Sequence, residues 1–246
     1  MKIGYIFSAY FGKRRFAHSK LQSDNLFYVK IQLEQISKLN TKLERIYIVC
    51  TFDQSVSKDN ILSELYQLKR DRDDIIIVPR KNTGGSYCSW DTALKLDDGF
   101  CDYMILEEDD YTFGDPNSVI YMLEYFKETL GLFYLCQYWS TKPLKYLQMR
   151  FTIQQHAAMS GGMMNNKMYH ELRRNGIEFE IEYSSDINYM TKNQMTFLEP
   201  YVRNGNHIKE YRKEYSCLFA HHTSNITEEG NKNGIPIFLP IIDKYF

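Results

Sequence analysis

The chain has 246 residues, of which 43% are hydrophobic and 15% aromatic, and its 30 Lys and Arg face 31 Asp and Glu for a formal net charge of −1. That length and apolar content support a full core without staples and exclude the disordered and fibrous classes. The near-zero charge lacks the basic excess that binding a phosphate backbone demands, so nucleic acid is set aside as a main partner, a local cluster at Lys13, Arg14 and Arg15 notwithstanding.

Residues 3–8 form the first short apolar run. The wider run 3–11 is short, is interrupted by Ser8 and Tyr10, and precedes its basic residues, so no secretion signal is expected. After a cap at Ser23 or Asp24, Leu26, Val29, Leu33 and Ile36 recur at helical spacing. A second strand is expected at 45–51, then a helix capped by Ser57 that carries Ile61, Leu65 and Leu68. Strands at 75–79 and 103–106 follow, and Asp115-Pro116 opens a helix with Val119, Leu123, Phe126 and Leu130 before a strand at 132–136. All five runs read as buried parallel strands. Beyond them, a Gly161-Gly162 turn precedes a helix with Met168 and Leu172. Ile177, Phe179, Ile181 and Tyr183 alternate with Glu178, Glu180 and Glu182 as in a strand, and Ser184-Ser185-Asp186 begins a helix. Further strands are expected at 195–199 and 216–220, and the apolar stretch 235–242 is broken by Pro236 and Pro240.

The alternation of strand and helix predicts an α/β fold: right-handed crossovers building a mostly parallel, doubly wound sheet through about residue 140. No linker or repeat interrupts the rest, which adds a mixed carboxyl-terminal extension to the same sheet, so residues 1–246 form one domain. Ligands of such sheets bind at the carboxyl ends of the strands. Cys50, Cys88, Cys101, Cys136 and Cys217 are scattered without a C-x-x-C pair, as expected of reduced, buried thiols in a cytoplasmic protein. The sequon at Asn225 is then a chance match.

Common fingerprints fail. Ser8-Ala9-Tyr10-Phe11-Gly12 is no dinucleotide loop, and neither a phosphate-binding P-loop nor a nucleophile elbow occurs. The dense polar constellation is Glu107-Glu108-Asp109-Asp110, directly after the apolar run 103–106. Crowded carboxylates repel, and a hard divalent cation relieves that repulsion while also binding phosphate; a solvated acidic turn is the alternative reading.

In succession, the strand ending at Tyr10, the strand ending at Asp53, the turn Arg80-Lys81-Asn82-Thr83-Gly84-Gly85 and the acidic run resemble the GT-A class of nucleotide-sugar glycosyltransferases, especially the inverting family two. The resemblance implies a single GT-A-type, Rossmann-like domain, with residues 1–112 as the nucleotide-sugar half and 113–246 as the acceptor half. It implies a divalent metal, Mn2+ or Mg2+, a nucleotide-sugar donor, commonly a UDP-sugar, and a glycan or glycoconjugate acceptor in polysaccharide biosynthesis. Carried over by position, Asp109 is the metal-binding acid, with Asp110 as the alternative. Glu107 takes the first acid's place, toward ribose or a metal-bound water, although the family has Asp there. Ser8, Tyr10 and Asp53 match the base-recognition positions, Asp53 accepting from a uracil-type N–H. Arg80 faces the diphosphate or solvent, and Gly84-Gly85 lets backbone approach the ligand or makes a turn.

The same resemblance makes Asp186 the general base for the acceptor hydroxyl, with helix capping as the other reading and Glu182 as the second candidate. A late histidine, His221 or His222, is a further metal ligand, and adjacent strand residues face opposite ways, so both together are not expected. Trp90, Tyr138 and Trp139 stack on sugars or pack in the core. Residues 223–234 form a lid or a connector, and the Lys13 cluster leaves room for peripheral membrane contact. A sugar nucleotidyltransferase and a noncatalytic glycan- or nucleotide-binding module are the competing classes.

Overall fold

The computed structural model describes residues 1–12, 26–128, 134–137, 161–174, 219–222 and 238–240. Strand β1, Ile3–Phe11, is buried over nearly its whole length and lies inside the sheet. Helix α1, Phe27–Ser37, leads to β2, Arg45–Phe52; α2, Lys58–Leu68, leads to β3, Ile75–Arg80; and α3, Gly85–Asp97, leads to β4, Tyr103–Glu108. These four strands are parallel, with β2 and β4 flanking β1 and β3 beyond β2. Apolar residues on both faces suit strands that helices cover on both sides.

The strands divide the helices between two faces. Odd-numbered residues of β1 (Ile3, Tyr5, Phe7, Ala9 and Phe11) join one core with Val29 and Ile36 of α1 and Ile61 and Leu65 of α2. Helix α3 packs its Trp90, Ala93 and Leu94, all at most 1% exposed, on the other face. After β4 come the short strand β5, Tyr111–Phe113, and α4, Ser118–Glu128, whose Val119, Met122 and Leu123 return to the first core. Ser57 does stand at the amino end of α2, although its side chain makes no capping bond.

The carboxyl-terminal strands depart from the sequence expectation. β6, Tyr134–Gln137, is not a parallel neighbour of the first four strands but pairs antiparallel with β7, Gly161–Asn165, which pairs antiparallel with β4. Gly161 and Gly162, read from sequence as a turn, are therefore strand residues opposite Glu107 and Leu106. Without side chains they erase the period-two pattern that marks a strand. Helix α5, Asn166–Arg174, follows at once. Strand β8, Phe219–His222, runs parallel to β6, and β9, Phe238–Pro240, pairs with β5 in a separate small sheet. The main sheet thus has the order β3-β2-β1-β4-β7-β6-β8.

From β1 the chain winds outward through β2 to β3 and then returns to place β4 on the other side of β1. In open α/β sheets ligands bind at such a reversal, here at the carboxyl ends of β1 and β4, so the crevice is expected there. Among the described residues no helix is long and apolar enough to cross a membrane. Cys50, Cys88 and Cys101 are buried thiols outside any disulfide, and burial pushes the Cys88 thiol up to about 12. Cys136 lies on β6, and Cys217 falls outside the described residues.

Candidate functional site

Parallel pairing carries β1 and β4 to the crevice together, with Ser8 opposite Glu108. The next backbone group along β1, the Tyr10 N–H, would ordinarily find a carbonyl of the adjoining strand. Here it donates to Oδ2 of Asp109 at 2.9 Å, while the Asp109 N–H donates to the Ser8 carbonyl at 3.2 Å. A carboxylate thereby extends the ladder beyond the strand, which fixes Asp109 at the mouth of the crevice in a 4% exposed position. The Tyr10 hydroxyl donates to Oδ2 of Asp53, at the end of β2, at 3.1 Å. Gly12 leaves the space for that pair, since a Cβ there would stand 2.6 Å from both Asp53 Cβ and the Tyr10 hydroxyl oxygen. Tyr10 thus couples Asp53 to Asp109, through its side chain on one and its backbone on the other.

On the α3 side, Gly84 and Gly85 take φ values of 69° and 58°, which a residue with a Cβ rarely adopts, and the turn they form starts α3 beside the strand ends. Arg80 holds this turn. Its guanidinium donates to Ser89 Oγ at 2.9 Å, to the Gly85 carbonyl at 3.3 Å, and to both the carbonyl and the hydroxyl of Thr83. Ser8 Oγ reaches the same Ser89 Oγ at 3.0 Å, and Ser86 Oγ donates to Glu108 Oε1 at 2.5 Å. Arg80, expected from sequence at a diphosphate or in solvent, spends these donors on the carbonyls of Thr83 and Gly85 and the hydroxyls of Thr83 and Ser89 in the glycine turn.

Alternation along β4 separates the acids. Glu108 meets α3, whereas Glu107 turns to the opposite face, beside Tyr5, and is 0% exposed. Its Oε1 accepts from the Glu108 N–H at 2.9 Å, and its Oε2 finds no hydrogen-bond partner among the described residues. Burial holds this carboxyl well above the ordinary glutamate range; the Glu108 N–H opposes that shift, and the charges of Glu108 and Asp110 add to it. A raised acid costs nothing below its unfolded value, near 4.5, and destabilises the fold as pH climbs from there toward the folded value. Glu107→Gln, which mimics the neutral acid, is therefore expected to match the wild type in metal-free urea melts at pH 4. Above that a gap should open in the variant's favour, at a limiting slope of about 1.4 kcal/mol per pH unit. Parallel stability curves would remove the assignment of Glu107 as a neutral buried acid.

Ser8, Tyr10, Asp53, Arg80, Glu107 and Asp109 therefore all lie at the carboxyl ends of β1 to β4. His221 and His222 end β8, which runs in the same direction, but β7 and β6 intervene between β8 and β4. Three strand spacings amount to roughly 14 Å, so the strand order sets the histidines apart from Asp109. Asp186 and Glu182, together with Tyr138, Trp139 and the 223–234 segment, lie outside the described residues. Trp90 is a core residue, 1% exposed, with its indole N–H on the Glu107 carbonyl at 3.0 Å. Sequence reasoning missed Ser86, Ser89 and Gln32. The last carried a legible signal, a polar residue beside Val29 and Leu33 on the buried stripe of α1.

Among the described residues no three His, Cys, Asp or Glu side chains gather around a point. Of these residues Asp109 could hold a hard cation together with phosphate oxygens and water, a mode common for Mg2+ and open to other hard cations.

No protein-family model and no curated protein sequence matches the chain. Solved structures do resemble it. Residues 1–349 of TarS from S. aureus match 82% of this chain and 55% of their own at 14% identity, with a TM-score of 0.50. The mannosyltransferase PcManGT from Pyrobaculum calidifontis, in complex with GDP-Man and Mn2+, matches 96% of this chain and 65% of its own at 11% identity, with a TM-score of 0.49. The 4-diphosphocytidyl-2C-methyl-D-erythritol synthase from Anaerococcus prevotii matches 80% and 81% at 12% identity, with a TM-score of 0.46. The chain thus spans 65% and 55% of the lengths of PcManGT and TarS. The likeness to TarS and the strand order place this chain in the GT-A-type, Rossmann-like fold class.

Proposed function

We propose that this protein is a metal-dependent glycosyltransferase that moves a sugar from a nucleotide diphosphate donor, a UDP-sugar, to a hydroxyl of a glycan or glycoconjugate, with inversion. The observation that carries the reading is the coupling of Asp53, Tyr10 and Asp109 at the switch point of the sheet. It sets a hydrogen-bonding acid for the base and a carboxylate for an ion on the diphosphate along one strand end. In this reading the chain is one domain, with residues 1–112 binding the donor and 113–246 the acceptor.

Asp53 and Tyr10 bind the base, and the Tyr10 ring beside Gly12 fixes the depth at which it sits. Asp109 would hold a divalent cation, which when bound supplies charge neutralisation for the departing diphosphate. Asp186 accepts the proton of the acceptor hydroxyl as its oxygen bonds to the anomeric carbon and the sugar–phosphate bond breaks on the opposite face. We leave the imidazoles of His221 and His222 out of the ion's ligand set because of the strand order. The competing nucleotidyltransferase reading asks for a phosphate-wrapping loop after β1. Ser8 to Phe11 are residues of β1 itself, the sequence there has only a faint echo of such a loop, and residues 13–25 lie outside the described residues.

The test is a thermal-shift panel of UDP-, GDP-, CDP- and ADP-sugars, each with and without Mn2+. A true donor at a hundredfold excess over its Kd stabilises the fold by about 2.7 kcal/mol. For a chain of this size that raises Tm by roughly 5–10 °C. Stabilisation by a UDP-sugar that requires Mn2+ supports the proposal, and a panel with no metal-dependent shift defeats it.

A further inference from the structure

Below the acidic turn, α1 buries a side chain that its amphipathic pattern does not call for. Gln32 is 0% exposed, in a helix whose neighbouring buried positions include Val29 and Ile36. Burying a primary amide is costly unless its hydrogen bonds are made. They are made, and they converge on one place. Nε2 donates to the carbonyls of Asp109 at 3.3 Å and of Tyr111, with the Glu108 carbonyl at 3.5 Å, while Oε1 accepts from the Tyr5 hydroxyl at 3.0 Å. Tyr5 is itself fully buried on β1, its ring 5.2 Å from that of Phe113 on β5.

From these contacts we infer that Gln32 is a positioning residue for the acidic turn: its amide, seated on Tyr5, clamps the backbone of residues 108–111 and so sets the direction of the Asp109 carboxylate. The inference rests on the proposed reading of Asp109 as the cation-holding acid. Four consecutive acids repel one another and would spread if the turn were held by its two strands alone. Gln32 supplies donors to the carbonyls of that turn from a rigid helix, and it does so without adding charge. The Asp109 N–H on Ser8 and the Asp109 carboxylate on Tyr10 tie down the other side of the same residue. Asp109 is thus fixed at its amide and its carboxylate by β1 and at its carbonyl by α1. A group that orients a metal-binding carboxylate from behind affects ion affinity without touching the ion.

Two variants separate this role from packing. Gln32→Glu keeps the shape and the acceptor for Tyr5 but deletes the amide donors. Gln32→Met with Tyr5→Phe removes the whole polar pair, keeps the volume and adds no charge. The first readout needs no ligand: hydrogen exchange of the 107–113 segment, with β2 as the internal control. Faster exchange confined to 107–113 in the Met/Phe variant is expected, and an unchanged rate overturns the inference. The second readout is the ratio of UDP affinity with Mn2+ to that without. Deleting the clamp is expected to lower the metal-dependent affinity about 10- to 100-fold, with metal-free affinity unchanged. A general loss of stability scales both affinities together and leaves the ratio unmoved. Wild-type-like ratios in both variants overturn the role of Gln32 while the glycosyltransferase reading stands. If wild-type protein shows no metal-dependent UDP binding, the glycosyltransferase reading falls and hydrogen exchange alone decides whether Gln32 clamps the turn.

Discussion

Asp109→Asn is expected to abolish the Mn2+-dependent part of UDP binding while leaving the fold intact. The amide oxygen of asparagine can still accept from the Tyr10 N–H, so the bond that extends the β1 ladder survives. What is lost is the negative charge. A hard cation between carboxylate and diphosphate contributes several kcal/mol, so the affinity measured by calorimetry with Mn2+ should fall on the order of 100- to 1,000-fold. Without Mn2+ the two proteins should bind UDP equally weakly, because Asp53 and Tyr10 are untouched. The melting temperature of the free variant should equal or slightly exceed that of the wild type, since a charge has left a crowded acidic run. An Asp109→Asn protein that keeps its Mn2+-dependent affinity would falsify the assignment of the ion to this carboxylate. Asp110→Asn is the matched control, and in the present reading it changes affinity little.

The physical contrast among the four acids explains why neighbouring residues cannot exchange roles. Glu107 lies under the sheet with one oxygen unpartnered among the described residues, Glu108 holds the first turn of α3 through Ser86, and Asp109 extends the ladder past the end of β4. Each direction follows from the pleat of β4 and from the point at which the strand ends, between Glu108 and Asp109.

Much of this arrangement was legible in the residues, and the exceptions share a cause. The parallel strands announced themselves as apolar runs, and Ser8, Tyr10, Asp53, Arg80 and the acids could be placed at their carboxyl ends because each directly follows such a run. Helix α3 was hidden: it opens on two glycines and buries Ser89, Asp91 and Asp97, so no apolar stripe advertises it. Those polar groups are satisfied by partners far along the chain, such as the Tyr169 hydroxyl on Asp91 at 3.0 Å. Strand β7 was hidden by Gly161 and Gly162. The bonds of Arg80 to the glycine turn were illegible as well, because they depend on the backbone of residues 83–85, where Gly84 and Gly85 take positive φ. The pairing of Tyr10 with Asp53 spans 43 residues, and nothing local encodes it. Periodicity reports burial of apolar surface, and buried hydrogen-bond networks leave no periodic trace.

Asp97→Ala is expected to produce the largest loss of stability of any substitution at a charged residue discussed for this chain. Asp97 ends α3 at the pole of the sheet opposite the crevice, with its side chain 0% exposed. Its Oδ1 accepts from the Tyr47 hydroxyl at 2.9 Å and from Arg45 Nη1 at 3.4 Å, and its Oδ2 accepts from the Cys101 N–H and from Asn166 Nδ2, each at 2.9 Å. One carboxylate therefore joins the end of α3, the start of β2, the approach to β4 and the first turn of α5. A negative charge is disfavoured at a helix carboxyl end, so these bonds must offset both the dipole and the desolvation. Arg45 is held in turn by the Phe100 ring, 3.6 Å from its guanidinium carbon, with Lys2 Nζ 3.8 Å from the centroid of the same ring. Alanine leaves the Tyr47 hydroxyl, the Cys101 N–H and one of the two Asn166 amide hydrogens without an acceptor, at a cost of about 3–5 kcal/mol. For a chain of this length that lowers Tm by roughly 10 °C, and the urea midpoint should fall with an unchanged m-value. Asp97→Asn should lose almost as much, because its NH2 group would face donors on the Oδ2 side. At temperatures where the variants remain folded, Mn2+-dependent UDP binding should match the wild type, since the network and the crevice occupy opposite ends of the strands. A loss below about 1 kcal/mol in the alanine variant would mean that water or a rearranged Arg45 replaces the carboxylate, and that the tie among α3, β2 and α5 is not what holds this end of the sheet together.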